Sequence, residues 1–151
     1  MKCLFLLLAL SVNALEAHAS AAAEVLAKAC RTGDLKTAET LVSSGIDPDL
    51  PDQYGKTPLY YAVSFNQTKL VALLLAYHAD PNTRSLPLQA AAELGNLHII
   101  EMLSAAGAQI KTKSAAGRTA LHVAVIGNHL DIIQFLIEKG AEIDTLRMMY
   151  S

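Results

Sequence analysis

A single pattern recurs four times along the chain, at a spacing typical of stacked-repeat proteins. Its turn position falls at Gly45, His78, Gly107 and Gly140, which are 33, 29 and 33 residues apart. Because one unit of this length cannot bury its own apolar face, neighbouring units must stack, and about three or more are needed for stability. The spacing therefore predicts an elongated stack of similar units.

The opening of the second copy indicates how each unit folds. In the segment Gly55-Lys56-Thr57-Pro58-Leu59-Tyr60, Thr57 is placed to cap a helix and Pro58 suits the first helical position. The residues that follow give this first helix one narrow apolar face, Asn66 interrupts it, and residues 70–75 form a second, more apolar helix. A left-handed residue at the turn position would end that second helix. Each unit is thus predicted to be helix-turn-helix.

Two further copies carry the same opening. The fourth reads Gly117-Arg118-Thr119-Ala120-Leu121-His122, and the third has the reduced form Leu86-Pro87-Leu88-Gln89. With closing segments such as Ala79-Asp80-Pro81-Asn82, these motifs resemble the ankyrin repeat family, whose unit opens with T-P-L-H-x-A and closes with G-A-D-x-N. The resemblance implies an all-α ankyrin-repeat solenoid of four helix-turn-helix repeats, over about residues 22–52, 53–84, 85–113 and 114–145. It also implies that His122 is structural and ties neighbouring loops by hydrogen bonds.

Two departures from the family pattern carry expectations. The third copy lacks about four residues between Asn82 and Leu86, so we expect a shortened loop there. The last helix is strongly apolar, although the family tends to end in a polar capping repeat. We expect the tail residues Leu146, Met148, Met149 and Tyr150 to fold back as a lid, because an uncovered end would be insoluble. The alternative is that this end contacts another chain.

The first nineteen residues predict a secretory signal peptide. Met1-Lys2 gives a basic start, an apolar run extends from Cys3 to Val12, and Ala17-His18-Ala19 forms a small-x-small cleavage site. The run is shorter than the roughly 20 residues that span a bilayer. We expect a product that begins at Ser20 and is exported, to the periplasm of a bacterium or into the medium, with no membrane insertion. A retained amphipathic helix is the alternative.

Composition narrows the possible functions. A chain that is 52% hydrophobic is not disordered, and a net charge of −2 argues against a nucleic-acid surface. The sequence contains no G-x-S-x-G, phosphate-binding glycine loop or H-E-x-x-H motif. Asp47, Asp49 and Asp52 lack the pattern of a calcium loop, and Cys30 lies in an alanine-rich helical stretch that favours burial. We expect no enzymatic activity, no cofactor and no metal.

The candidate binding residues are those that the repeat itself does not need. In ankyrin-like stacks the loop tips and the last turn of each first helix line one concave face. Placed by register, that face holds four apolar residues flanked by three cations. We define this candidate face as Tyr54, Phe65, Leu94 and Ile126, with Arg31, Lys56 and Arg118. Exposed aromatic anchors with a charged rim are typical of protein-binding hot spots. The alternative is that Phe65 and Leu94 merely cover the turns between helices.

Together these features predict an exported protein–protein interaction module. It would hold one unidentified partner protein on the candidate face and stabilise, inhibit or scaffold it. The alternatives are a secreted effector that acts on a host protein and an immunity protein against an envelope-directed toxin. We expect a monomer, with self-association through the C-terminal end as the alternative.

Overall fold

The computed structural model describes residues 18–143, and this part of the chain contains helices and loops but no strand. Helix α1 covers residues 18–32. Seven helices follow: α2 Leu35–Ser43, α3 Pro58–Ser64, α4 Thr68–Ala76, α5 Pro87–Leu94, α6 Leu97–Ala105, α7 Ala120–Ile126 and α8 Leu130–Glu138. Consecutive helices form four pairs, and each pair is joined by a turn of two or three residues. The predicted all-α, helix-turn-helix fold is confirmed.

The helices form two rows. In one row α3 packs on α5 and α5 packs on α7, while α2, α4, α6 and α8 pack in order in the second row. Ala62, Ala91 and Ala124 occupy equivalent positions in α3, α5 and α7, and each is fully buried. Their small side chains let the first helices approach closely, as dense interior packing requires. Large aliphatic residues fill the space between the rows: Leu59, Leu70, Leu74, Ile99, Ile100, Leu103, Leu121, Ile132 and Leu136.

The helix starts follow the sequence prediction in the second and fourth pairs. Thr57 caps α3, because its Oγ1 accepts a hydrogen bond from the Tyr60 backbone N–H at 3.3 Å, and Pro58 is the first helical residue. Thr119 caps α7, with its Oγ1 2.8 Å from His122 Nδ1. His122 therefore holds the start of its own helix. In the third repeat Gln89, at the corresponding position, ties α5 to the loop over residues 106–119 by donating to the carbonyl oxygens of Thr112 and Arg118.

The loops between helix pairs differ in length as predicted. They cover residues 44–57, 77–86 and 106–119, so the middle loop is four residues shorter than the other two. Leu86 takes the cap position of α5 with a φ of 57°, and its side chain cannot act as a cap. Instead, the buried Ser85 hydroxyl lies 3.0 Å from Thr57 Oγ1 and links the shortened loop to the preceding repeat. The predicted left-handed turn positions are confirmed at Gly45, His78, Gly107 and Gly140.

Two predictions concern residues that the structure does not describe. The lid formed by Leu146, Met148, Met149 and Tyr150 lies outside residues 18–143, and so does most of the predicted signal peptide at residues 1–19. Both stay predictions. Over the described part of the chain, none of the helices has the length and apolarity needed to cross a membrane.

Candidate protein-binding face

Tyr54 is the most exposed of the four apolar members of the candidate face. It lies in a tight turn over residues 52–56, which we name the second-repeat tip. Backbone hydrogen bonds close this turn, from Asp52 N to Lys56 O and from Gly55 N to Asp52 O, both at 2.9 Å. Asp52 Oδ1 also accepts bonds from the backbone N–H groups of Tyr54 and Lys56 at 2.9 and 3.0 Å. The tip is therefore rigid, and it holds the Tyr54 side chain 73% exposed.

Two of the three predicted cations pack on tyrosine rings. Lys56 Nζ lies 4.0 Å from the ring centroid of Tyr60, and the Arg31 guanidinium lies 5.7 Å from that of Tyr61. Both geometries are within the range of cation–π attraction. The tyrosines follow each other at the start of α3 and contact edge to face. These contacts hold the two cations near Tyr54. Because each cation already has an attractive contact within the chain, it gains less from binding a partner.

A short hydrogen bond ties the second-repeat tip to α3. Tyr61 Oη donates to Asp52 Oδ2 at 2.6 Å, and this bond raises the pKa of Tyr61 to about 12. Desolvation alone raises the pKa of Asp52, but the bonds from Tyr61, Lys56 and Tyr54, together with Arg31, outweigh it. The pKa of Asp52 is therefore below its ordinary value. Its carboxylate accepts three hydrogen bonds that hold the tip together.

Phe65, Leu94 and Ile126 lie at the ends of α3, α5 and α7, with Phe65 and Leu94 at equivalent positions and Ile126 one position earlier in its repeat. Phe65 is the C-cap of α3, Leu94 is the last residue of α5, and Ile126 is the last residue of α7. Their exposed fractions are 52%, 38% and 57%. The structure thus leaves all three side chains open to solvent at three consecutive repeats, and their role in binding stays a prediction.

Four of the seven predicted residues line two separate surface depressions, two residues in each. Arg31 and Tyr54 line a groove of about 310 Å³ between α1 and the second-repeat tip, together with Glu24, Val25, Ala27, Lys28, Asp52 and Gln53. Arg118 and Ile126 line a second depression of about 200 Å³ with Glu93, Val123 and Gly127. Phe65, Leu94 and Lys56 line neither depression. The candidate face therefore has two separate concave places, at opposite ends of the stack.

Sequence reasoning missed several residues of this face. The repeat pattern does not point to Tyr60 and Tyr61, whose rings contact the cations, or to Val25 and Val123, which contribute apolar surface to the two depressions. Aligning the repeats would have indicated the tyrosines, because the same two positions hold Gln89-Ala90 and His122-Val123 in the other copies. Aromatic residues at positions where the repeat does not require them are a signal of local function or local packing.

Cys30 and Asp49 have structural places in the fold. Cys30 is fully buried, and burial raises the pKa of its thiol to about 12. Asp49 accepts hydrogen bonds from the backbone N–H of Asp80 at 2.9 and 3.1 Å, which links two neighbouring loops. Among residues 18–143, no group of three or more His, Cys, Asp or Glu side chains is placed to hold a metal ion.

Comparison with known proteins agrees with this architecture. The family model described as "Ankyrin repeats (3 copies)" matches residues 2–85 and 79–147, so the chain belongs to the ankyrin repeat family. It is 30% identical over 116 residues to cyclin-dependent kinase 4 inhibitor B of Rattus norvegicus, covering 74% of this chain and 88% of the inhibitor. It is 31% identical over 139 residues to potassium channel AKT1 of Arabidopsis thaliana, covering 69% of this chain but only 16% of the channel.

A third relative is a large multidomain protein. The chain is 32% identical over 121 residues to SH3 and multiple ankyrin repeat domains protein 2 of Homo sapiens, covering 76% of this chain and 6% of that protein. The chain therefore corresponds to most of one small relative and to a short part of two large ones.

Proposed function

We propose that this chain is an exported ankyrin repeat module that binds a partner protein on the candidate face and catalyses no reaction. The observation that carries the proposal is the exposure of Phe65, Leu94 and Ile126 at the ends of three consecutive first helices. Burying a fully exposed large apolar side chain yields about 1.5–3 kcal/mol, and these three, at 38–57% exposed, would each contribute part of that on association. Members of this repeat family typically bind other proteins, which supports the same role here.

The relatives indicate a form that binding can take. The rat relative is named as an inhibitor of cyclin-dependent kinase 4, and the alignment covers 88% of it. A stack of about this size is therefore large enough to act as a binding unit. For this chain we propose the same general mode, in which a rigid stack holds a folded partner and thereby stabilises or inhibits it.

Export is the second part of the proposal. The layout of residues 1–19 supports it, with a basic start, an apolar run and a small-x-small site before Ser20. Cleavage there would remove Cys3 and leave Cys30 as the single thiol. Because Cys30 is fully buried and its pKa is raised, the processed protein would be protected from oxidation in an oxidising compartment.

The binding face is tested by affinity capture with matched triple variants. The full chain is used as bait beside Tyr54→Ala/Phe65→Ala/Leu94→Ala, in extract from cells of the source organism. The control bait, Leu35→Ala/Tyr77→Ala/Leu130→Ala, removes three exposed apolar residues that lie in or next to the second row of helices. We expect one protein to be held by the unmodified and control baits and lost from the first variant. Equal capture by all three baits would refute the candidate face.

Export is tested by locating the protein and sequencing its N-terminus. We expect a product that begins at Ser20, outside the cytoplasm. An intact Met1 in the cytoplasmic fraction would contradict export and leave the binding proposal untouched. Release into the medium together with binding to a host protein would favour a secreted effector, whereas capture of a toxin would favour an immunity protein.

A further inference from the structure

The tip of the fourth repeat has a cation that no neighbour holds. We name residues 114–118 the fourth-repeat tip, in which Arg118 occupies the position of Lys56 in the second-repeat tip. The backbone N–H and carbonyl of Arg118 are hydrogen-bonded, to Ser114 Oγ and Gln89 Nε2. Within residues 18–143, its guanidinium group makes no hydrogen bond, ion pair or ring contact.

The reason lies in the residues beneath the two tips. Lys56 rests on the ring of Tyr60, but the fourth repeat has His122 at that position, and His122 is buried and bonded to Thr119. The next position changes from Tyr61 to Val123. The fourth repeat therefore offers Arg118 no tyrosine ring at these two positions, and the guanidinium group stays available to a partner.

Arg118 lies beside apolar surface. It lines the depression of about 200 Å³ whose floor includes Val123 and Ile126, and Ile126 is 57% exposed. Glu93 lines the same depression, and no ion pair joins it to Arg118. Arg118 and Glu93, neither of which has a side-chain partner among residues 18–143, thus line one small depression together with the apolar Val123 and Ile126.

We propose that this depression seats a partner segment in which an apolar side chain stands next to one Asp or Glu. This inference rests on the proposed protein-binding function and specifies the chemistry of the partner. The apolar side chain would pack on Val123 and Ile126, and the carboxylate would accept hydrogen bonds from the Arg118 guanidinium, a pairing whose planar geometry favours two parallel bonds. Glu93 would repel a second carboxylate, so the segment carries a single acidic residue and not an acidic run.

The groove at the other end of the stack does not favour the same partner chemistry. Arg31 lies over Tyr61, and Asp52, which also lines that groove, already accepts three hydrogen bonds. Glu24 adds a second acidic wall. Lys28 lines this groove beside Arg31, so its two cations balance its two carboxylates. The fourth repeat is favoured as the acidic-segment site because Arg118, unlike Arg31, has no ring contact among residues 18–143.

The test is selection from a phage-displayed library of random linear peptides, with the full chain as the immobilised target. We expect enriched peptides to share an Asp or Glu within two positions of a large apolar residue. A synthetic peptide of the enriched sequence should bind the Arg118→Glu variant about tenfold more weakly or worse, since a charge-assisted hydrogen bond is lost and repulsion replaces it. Repeating the selection on Arg118→Glu should enrich basic residues in place of acidic ones.

Arg84→Glu is the matched control. Arg84 is exposed on the shortened loop and does not line the depression, so the variant makes the same change of net charge elsewhere. We expect it to bind the peptide within about twofold of the unmodified chain. Circular dichroism melts of both variants should match the unmodified chain, because neither side chain has an intramolecular partner among residues 18–143.

Three outcomes would overturn this inference. They are an absence of enriched peptides, enrichment without acidic residues, and equal weakening by Arg118→Glu and Arg84→Glu. If peptides without acidic residues still lose binding in Phe65→Ala or Ile126→Ala, the proposed binding face stands and only its partner chemistry is wrong. If these peptides bind the Phe65→Ala and Ile126→Ala variants as well as the unmodified chain, both the proposed binding face and the proposed partner chemistry are wrong.

Discussion

The tips of the second and fourth repeats share one backbone and differ in their side-chain chemistry. In both, the first residue exchanges a backbone hydrogen bond with the fifth, from Asp52 to Lys56 at 2.9 Å and from Ser114 to Arg118 at 2.8 Å. In both, a glycine with positive φ precedes the fifth residue. The turn is therefore set by the glycine and the backbone, and its other positions are free to diverge.

That divergence separates a braced tip from an open one. Asp52 binds two backbone N–H groups and the Tyr61 hydroxyl, which anchors the second-repeat tip to α3. Ser114 Oγ accepts one bond, from the Arg118 backbone N–H at 3.2 Å. The comparison teaches that one repeat can use its polar groups for internal stability while another leaves them for recognition.

The largest expected effect tests what the tips share. Gly55→Val and Gly117→Val place a β-branched residue at φ values of 71° and 74°, where side chains other than glycine are strained. Nothing lies within 4 Å of a Cβ built at either glycine, so the expected penalty comes from backbone strain and not from a clash at Cβ. Each variant should lose about 3 kcal/mol of unfolding free energy, measured by urea denaturation. A clear difference between the two losses would show that the tips do not share one backbone requirement.

The next effect tests how the tips differ. Asp52→Ala removes the acceptor of three hydrogen bonds and should cost about 2 kcal/mol, whereas Ser114→Ala removes one and should cost about 0.5–1 kcal/mol. Urea denaturation of both variants measures the two losses. Asp52→Asn serves as the control, because its amide oxygen retains an acceptor, and it should fall between Asp52→Ala and the unmodified chain. Equal losses at the two tips would contradict the distinction between a braced and an open tip.

The pH dependence of stability should distinguish the tips as well. The lowered pKa of Asp52 means that its carboxylate stabilises the fold above the ordinary value of 3.8, and this contribution is lost as the pH falls through the lowered folded value. The raised pKa of Tyr61 means that its neutral phenol stabilises the fold below the ordinary value of 10.0, and this contribution is lost as the pH rises through about 12.

Tyr61→Phe should therefore destabilise the protein most between these limits. The difference in unfolding free energy from the unmodified chain should be flat from about pH 4 to pH 10 and should shrink on either side. Urea denaturation across the pH range measures this. The cost of Ser114→Ala should not change with pH, since no titrating group takes part in its hydrogen bond. If the cost of Tyr61→Phe stayed constant at acid pH, the bond from Tyr61 would not contribute to the lowered pKa of Asp52.

The smallest effect concerns the two cations at the tips. Lys56→Ala should lower the unfolding free energy by about 0.5 kcal/mol, because it removes the contact with the Tyr60 ring. Arg118→Ala should change it by less than this, because the guanidinium group has no partner among the described residues. Thermal melts followed by circular dichroism measure both changes. A larger loss for Arg118→Ala would indicate that Arg118 has a structural role, and would weaken its assignment to recognition.

Most of the architecture could be predicted from local sequence. The caps at Thr57 and Thr119, the proline at position 58 and the left-handed turn residues follow from short-range backbone chemistry, and each is found in the structure. The shortened middle loop could also be read from the repeat spacing. Each of these features depends on one residue and its immediate neighbours, so it can be predicted from a single sequence.

The candidate face could be predicted only in outline. Register placed Phe65, Leu94 and Ile126 at the ends of the first helices, and all three are exposed there. It did not reveal that Arg31 and Lys56 lie over tyrosines while Arg118 lies over none. Those contacts join residues on different helices and loops, and their geometry depends on how the repeats stack.

The sequence by itself determined that the chain folds as a stack of helix pairs, because the period, the caps and the turn residues constrain each unit locally. Only the tertiary structure decided which polar groups are consumed inside the stack and which remain at its surface. The physical reason is that a hydrogen bond such as that from Tyr61 to Asp52 requires two atoms within about 3 Å. A repeat pattern fixes the order of such residues along the chain, whereas the packing of neighbouring units fixes the distances between them.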